Sequence, residues 1–285
     1  MQLNISNLLM QDKTKLEAAL GLDSSTSRIE VQMLLQSVLK VPHSYLLAHP
    51  EQILDAKQQV AYEALLLGRL QGEPVAYLLG EREFFGLNFK VTPATLIPRP
   101  DTELLVELAL QRLPQGKASR VLDLGTGSGA IALSIAHFRP DAVVVAVDAS
   151  EAALEVAREN AQRLGIANIR FLLSDWFSAL DRQRFDLIVS NPPYVAAGDV
   201  HLTQGDVRFE PLSALTSGAE GLDDIRSIVS RAEAYLEHGA WLLLEHGYDQ
   251  AARVRDIFQQ NIFESIFSEK DIAGIDRVSG GVKLR

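Results

Sequence analysis

The chain has 285 residues, 47% of them hydrophobic, with no cysteine and a formal net charge of −10. This length supports one large domain plus a small one. The missing cysteines exclude disulfides, thiolate nucleophiles and Cys-ligated metal, and the acidic balance argues against docking on naked nucleic acid, which calls for a basic face. The six histidines show no metal-ligand spacing, so each reads as a surface or core residue and no metal is expected. A cationic-then-apolar leader is absent, as is any apolar run of about 18 residues. The expectation is a soluble, intracellular monomer without membrane contact.

Residues 1–78 read as a small helical bundle carrying no chemistry of its own. Asp23-Ser24-Ser25 can cap a helix bearing Ile29, Val31, Leu34, Leu35, Val38 and Leu39. A later helix bears Val60, Leu65, Leu66 and Leu70, with Gly72 as its stop. Such stripes are most simply core faces; the functional alternative is a docking module for a protein substrate. Residues 79–100 differ: Glu83-Phe-Phe-Gly-Leu-Asn-Phe-Lys-Val91 suggests a hairpin linker, stiffened afterwards by Pro93, Pro98 and Pro100.

From 101 to 285, helical and strand patterns alternate. The spacing predicts a helix from Thr102, a strand over 120–124, a helix from Gly129, a strand over 142–148 and a helix over 151–164. Strands over 168–173 and 185–190 follow, then a helix over 222–237, a strand over 240–245, a helix over 248–260 and two closing strands. This alternation implies a doubly wound α/β fold whose mostly parallel sheet carries helices on both faces. Ligands bind such sheets at the carboxyl ends of strands.

Three strand ends carry chemistry. Val121-Leu-Asp-Leu124 runs into a turn, Gly125-Thr126-Gly127-Ser128-Gly129, that opens an apolar helix. Glycines there let the backbone turn tightly and approach a ligand closely, and the helix start favours polar or anionic groups. Asp148 ends the next strand about 20 residues on, the offset expected of a ribose-hydroxyl acceptor; its bland reading is a helix cap with Ser150. After the following strand come Asp175, able to accept from an adenine amine, and Trp176, a flat wall beside the base or simply a core residue. Two cofactor classes fit: a dinucleotide, for which Gly125, Gly127 and Ala130 are a loose match, or another nucleoside.

The third strand end is Asn191-Pro192-Pro193-Tyr194. Proline cannot continue a central strand and pushes the residue before it into extended geometry. Asn191 and Pro192 thus form a stiff, acceptor-rich corner suited to a ligand with two N–H groups, with Pro193 rigid behind it and Tyr194 as a flat face. The alternative is a strand ended by an ordinary Pro-Pro loop. Arg99 and Glu103 lie in a stretch taken to border the cleft, without assigned roles. Glu245 and His246 end a further strand, where a supporting role and a structural one fit equally.

With Asp123 before it, the turn reads Asp-x-Gly-x-Gly-x-Gly and resembles motif I of the class I S-adenosylmethionine methyltransferases. In that superfamily Asn/Asp-Pro-Pro-aromatic marks enzymes that methylate planar nitrogen. Leu96-Ile-Pro-Arg-Pro-Asp-Thr-Glu103, Ser174-Asp-Trp-Phe177, Gly205-Asp-Val-Arg-Phe-Glu-Pro-Leu212 and Asp276-Arg-Val278 extend the likeness, and the whole chain resembles the PrmC (HemK) family. The resemblance implies a Rossmann-like, seven-stranded methyltransferase domain behind a substrate-gripping helical bundle. It implies a cytoplasmic protein-(glutamine-N5) methyltransferase that uses S-adenosyl-L-methionine and releases S-adenosyl-L-homocysteine. Its substrate would be the glutamine of the Gly-Gly-Gln motif in class-one peptide-chain release factors. Gly125, Thr126, Gly127, Ser128, Gly129, Asp148, Asp175, Trp176 and Asn191 would hold the cofactor. Asn191, Pro192, Pro193 and Tyr194 would hold the glutamine, with Asn191, Pro192 and Tyr194 acting in catalysis. The rivals are glutamine methylation of a ribosomal protein, an exocyclic-amine methyltransferase on DNA or RNA, a non-catalytic module that keeps the fold, and a dehydrogenase, for which no hydride-transfer acid or base is evident.

Overall fold

The structure, a computed structural model, describes residues 4–181 and 183–284. It divides into two compact units: residues up to Gly80 together with Thr203–Phe209, and the remainder.

Among the described residues the smaller unit holds five α-helices: α1 (Ile5–Leu20), α2 (Ser24–Leu39), α3 (His43–Ala48), α4 (Ala56–Leu70) and α5 (Val75–Leu79). Asp23 caps α2 as its sequence suggests, accepting from the backbone N–H of Ser25 and Thr26 at 2.8 and 3.0 Å. Val31, Leu34 and Leu35 share one face and are fully buried. Ile29 and Val60, expected in the stripes, lie off those faces and are exposed. Two charged side chains are enclosed with the apolar core among the described residues: Asp12 accepts from the Tyr62 hydroxyl at 2.7 Å, and Arg69 forks onto Glu30 at 2.7 and 3.0 Å. Arg69 also reaches Asp206 at 2.9 Å, which ties the 203–209 segment to these helices.

The larger unit begins with a hairpin, β1 (Glu81–Phe84) and β2 (Leu87–Lys90), joined through Phe85 and Gly86, both at positive φ as a two-residue hairpin turn requires. Then come α6 (Glu103–Arg112), β3 (Arg120–Leu124), α7 (Ala130–Phe138), β4 (Val143–Asp148), α8 (Glu151–Leu164), β5 (Ile169–Leu173), β6 (Phe185–Ser190), α9 (Asp223–Ala232), β7 (Leu236–Glu245), α10 (Ala251–Gln259), β8 (Phe263–Lys270) and β9 (Asp276–Lys283). The seven-stranded sheet runs β5-β4-β3-β6-β7-β9-β8. Its first five strands are parallel, β8 runs in the same direction, and β9 between β7 and β8 pairs antiparallel with both, with apolar clusters on both faces. The strand order reverses between β3 and β6, the place where doubly wound sheets open a crevice.

Two boundaries differ most from the sequence pattern. The helix expected over 222–237 stops at Ala232, and β7 starts at Leu236 rather than 240. Leu236 is buried opposite Phe185, while a register shift lets Glu237, His238 and Gly239 bulge outward. One apolar stripe therefore serves a helix and then a strand. The hairpin, expected as a linker, groups with the larger unit, where Phe84 and Phe89 are buried in its core.

Asn160 of α8 locks that hairpin to the glycine turn. Fully buried, it accepts from Lys90 N at 2.7 Å and donates to Lys90 O and Ser128 O at 3.0 and 2.9 Å. Asn160→Ala leaves three backbone groups without their partner, one buried and two part-buried, so we expect a loss of about 1–3 kcal/mol in urea-unfolding free energy; a change within about 0.5 kcal/mol would disprove the lock.

Candidate active site

A cleft of about 600 Å³ opens where β3, β4 and β6 end. Parallel pairing sets Leu124 opposite Val147 and Ser190, so residues just beyond each strand emerge side by side. Of the residues singled out in the sequence, Gly125, Thr126, Gly127, Ser128, Asp148, Asp175, Trp176, Asn191 and Pro193 line this one cleft. Gly129, Pro192 and Tyr194 do not. Gly129 is instead the N-terminal residue of the turn into α7, where an added Cβ would press on Leu133 and Ala157 at 2.9 and 3.2 Å.

The turn is preorganised from below. The N–H groups of Gly125 and Thr126 both donate to Val147 O at 2.9 Å. Thr126 Oγ1 donates to Asp123 Oδ2 at 2.7 Å, and Asp123 is wholly enclosed beneath the turn, its Oδ1 without a hydrogen-bond partner. A Cβ on Gly125 would approach the Trp176 ring at 3.4 Å, so glycine keeps the floor flat where indole forms a wall. Trp176 itself sits at φ 48°, a costly conformation for a bulky residue. The Ser174 hydroxyl supports it by donating to Trp176 O at 2.8 Å.

Asp148 joins two loops. Its Oδ2 accepts from Gly127 N at 2.8 Å and its Oδ1 from Ser150 N at 2.9 Å, while Ser150 is the N-cap of α8. The cap-associated and cleft-lining readings of Asp148 thus describe one carboxylate. Burial pushes its carboxyl above the ordinary value, opposed by the Ser150 and Gly127 N–H groups. Asp175 is exposed at the rim.

At the β6 end, Asn191 Nδ2 donates to Thr102 Oγ1 at 3.2 Å. Tyr194 turns its hydroxyl inward to Glu245 Oε1 at 3.3 Å, and burial followed by the Glu245 charge raises its pKa. Gln250 donates to Tyr194 O at 3.0 Å, and a Cβ on Gly221 (φ 71°) would collide with that carbonyl at 2.1 Å. Arg99 lines the cleft and pairs with the buried Glu210, which also accepts from Ile97 N at 3.1 Å. Glu103 lies away from the cleft lining and holds the hairpin turn, accepting from Phe85 N at 2.9 Å. His246 is buried, and burial lowers its pKa. Its Nδ1 donates to Gly247 O at 2.9 Å, so Nε2 accepts from Ser279 at 2.8 Å. Thr102 and Glu210 are the residues that sequence reasoning missed. Both fall inside motifs it noticed, but an interior threonine and glutamate carry no spacing signal until the tertiary partner is known.

Residues 7–80 match the family model described as PrmC N-terminal domain, and residues 101–209 the Methyltransferase small domain. The release factor glutamine methyltransferase of Vibrio cholerae is 51% identical over 261 residues, spanning 90% of this chain and 90% of that one. Its counterpart in Bordetella pertussis is 51% identical over 91% of this chain and 96% of its own. Among solved structures, the T. thermophilus 16S rRNA N2 G1207 methyltransferase in complex with AdoMet and guanosine aligns with a TM-score of 0.53. It is 25% identical, over 72% of this chain and 50% of that one.

Burial pushes the carboxyls of Asp123 and Glu245 up to about 7. Their unfolded values are about 4, so the native state binds more protons between about pH 4 and 7 and stability falls as pH rises through that window. The urea midpoint should drop between about pH 5 and 8, and Asp123→Asn should lose part of that drop. An unchanged pH slope in the variant would exclude Asp123 as a source.

Proposed function

Because this chain belongs to the release factor glutamine methyltransferase family, we propose that the cleft at the ends of β3, β4 and β6 is where it methylates its substrate. The protein is a methyltransferase acting on the side-chain nitrogen of a release-factor glutamine. The observation that carries the site assignment is that Asn191 and the glycine turn line one cleft.

The cleft fits S-adenosyl-L-methionine. Gly125 to Ser128 give a floor free of side-chain bulk at Gly125, and Trp176 gives a flat wall for the adenine. Asp148 spends one acceptor position of each oxygen on the backbone, and a carboxylate oxygen has two, which leaves acceptors for both ribose hydroxyls. Asp175 at the rim accepts from the adenine amine. When bound, the donor supplies a methyl group activated on a sulfonium and leaves as S-adenosyl-L-homocysteine.

The harder task is the acceptor, whose nitrogen lone pair is delocalised into its carbonyl. Asn191 Oδ1 and the Pro192 carbonyl would each accept one N–H of the glutamine amide. That turns the nitrogen toward the methyl and stabilises the positive charge that grows on it. Pro193 keeps the corner stiff, and Tyr194, anchored on Glu245, holds its far end. No strong base is required before transfer, since the alkylated amide is acidic and loses its proton readily. The acidic net charge of −10 supports a protein substrate over nucleic acid. The glutamine of the Gly-Gly-Gln motif is the target we assign, in the cytoplasm where release factors work.

With labelled methyl donor, purified release factor should take up label at that glutamine; label in a ribosomal protein or RNA instead would reject the assignment. Asn191→Ala should slow transfer about 10²-fold while donor affinity stays nearly intact, and normal turnover would remove Asn191 from the site. Asp148→Ala should weaken donor binding about tenfold or more by calorimetry. An unaltered Kd would take Asp148 out of the donor site.

A further inference from the structure

Two of the four residues in Asn191-Pro192-Pro193-Tyr194 have no N–H. A loop that must present acceptors rigidly therefore has few backbone donors with which to hold itself in place. Its start is fixed by the register of β6, with the Ser190 hydroxyl donating to Leu124 O at 2.7 Å. Its end must be held through carbonyls and side chains.

Gln250, the residue just before α10, supplies that hold. Its side chain is enclosed, and Nε2 donates to Tyr194 O at 3.0 Å and to Gly221 O at 3.2 Å. A carboxamide can turn over and exchange its acceptor for its donor. Here the direction is set, because Oε1 accepts from Gly247 N at 2.8 Å and a backbone N–H only donates. A flipped amide would place NH2 against an N–H and an oxygen against two carbonyls. The space is set as well: a Cβ on Gly221 would lie 2.1 Å from Tyr194 O, and one on Gly247 3.0 Å from Gln250 Oε1. One amide thus joins three loops, those that follow β6 and β7 and the one that leads into α9. It does so from outside the cleft lining, to which Asn191 and Pro193 belong.

We infer that Gln250 is a positioning residue for methyl transfer. By holding Tyr194 O it sets the path of the two prolines, and with it the direction in which Asn191 Oδ1 and the Pro192 carbonyl meet the substrate amide. This rests on the reading of those two oxygens as acceptors for the glutamine amide. It accounts for an enclosed glutamine at a helix start where its side chain makes no cap.

Gln250→Glu keeps the shape and separates the two halves of the contact. As a carboxylate it still accepts from Gly247 N but cannot donate to Tyr194 O; as a carboxylic acid it regains one O–H to donate. Burial against two carbonyls raises the pKa of such a group, so the acid form is within reach at mildly acidic pH. Tyr194, Glu220, Glu245, His246 and Asp249 also titrate on the joined elements, and they are common to every variant. The quantity compared is therefore the ratio of variant to native single-turnover methyl transfer into release factor at each pH. Gln250→Glu should be about tenfold slow near pH 8.5 and within about threefold of native near pH 5.5. Gln250→Met, which neither donates nor accepts comparably, should stay about tenfold slow at both. Donor Kd by calorimetry should remain within about twofold in both variants, which marks folded enzyme with an intact donor site. Equal losses in the two variants near pH 5.5, or losses matched by weakened donor binding, mean a merely structural role and overturn the inference. So does a native rate in Gln250→Met. If Asn191→Ala itself leaves the rate unchanged, the acceptor reading fails instead, and the two failures are told apart.

Discussion

The parallel pairing of β3 with β6 is the constraint on which the site depends. With Leu124 opposite Ser190, the glycine turn and the Asn-Pro-Pro-Tyr segment leave the sheet at one level and on neighbouring strands. The Ser190 hydroxyl donates to Leu124 O at 2.7 Å and pins that register at its last residue pair. A slip of one residue would turn every side chain of β6 to the opposite face and carry Asn191 out of the cleft. The position is also where strand order reverses, so no crossover helix covers the ends of these two strands on the same side.

Around that register the protein buries polar side chains at the loops it needs rigid. Asn160 holds the hairpin and the glycine turn, Asp123 holds Thr126, Glu210 holds the stretch carrying Arg99, and Glu245 holds the β6 end. Each is nearly or wholly enclosed. Burying such groups is unfavourable unless their hydrogen bonds are made, and it pushes the carboxyls of Asp123 and Glu245 upward. The return is a set of loops fixed without side chains intruding on the ligand space. Glycine at 125 and the strained Trp176 follow the same logic, with local conformational cost accepted in exchange for a flat floor and wall.

Much of this was legible in the sequence because it depends on local rules. Periodicity of two or 3.6 distinguishes strand from helix, glycine marks backbone at positive φ, and proline ends a strand; hence the glycine turn, Asp148 and the Asn191 corner could be placed at strand ends. The doubly wound sheet follows from their alternation. The errors also have local causes. Ile29 and Val60 look like core residues because hydrophobicity is visible and helix phase against a neighbour is not. The start of β7 was missed because a buried stripe continues unbroken from α9 through Leu236.

What only the tertiary structure decided concerns partners distant in the chain. Glu103 was read as bordering the cleft, yet it serves the hairpin; Thr102, its neighbour, faces Asn191 across 89 residues. Tyr194 was read as a flat face beside the substrate, and its hydroxyl finds a partner in Glu245, 51 residues on. The sequence by itself determined the chemistry on offer at each strand end, since residue type and backbone restriction are properties of a few adjacent residues. Which of those groups face one another, and which way their hydrogen bonds run, was decided by strand order and register, and these depend on packing over the whole sheet.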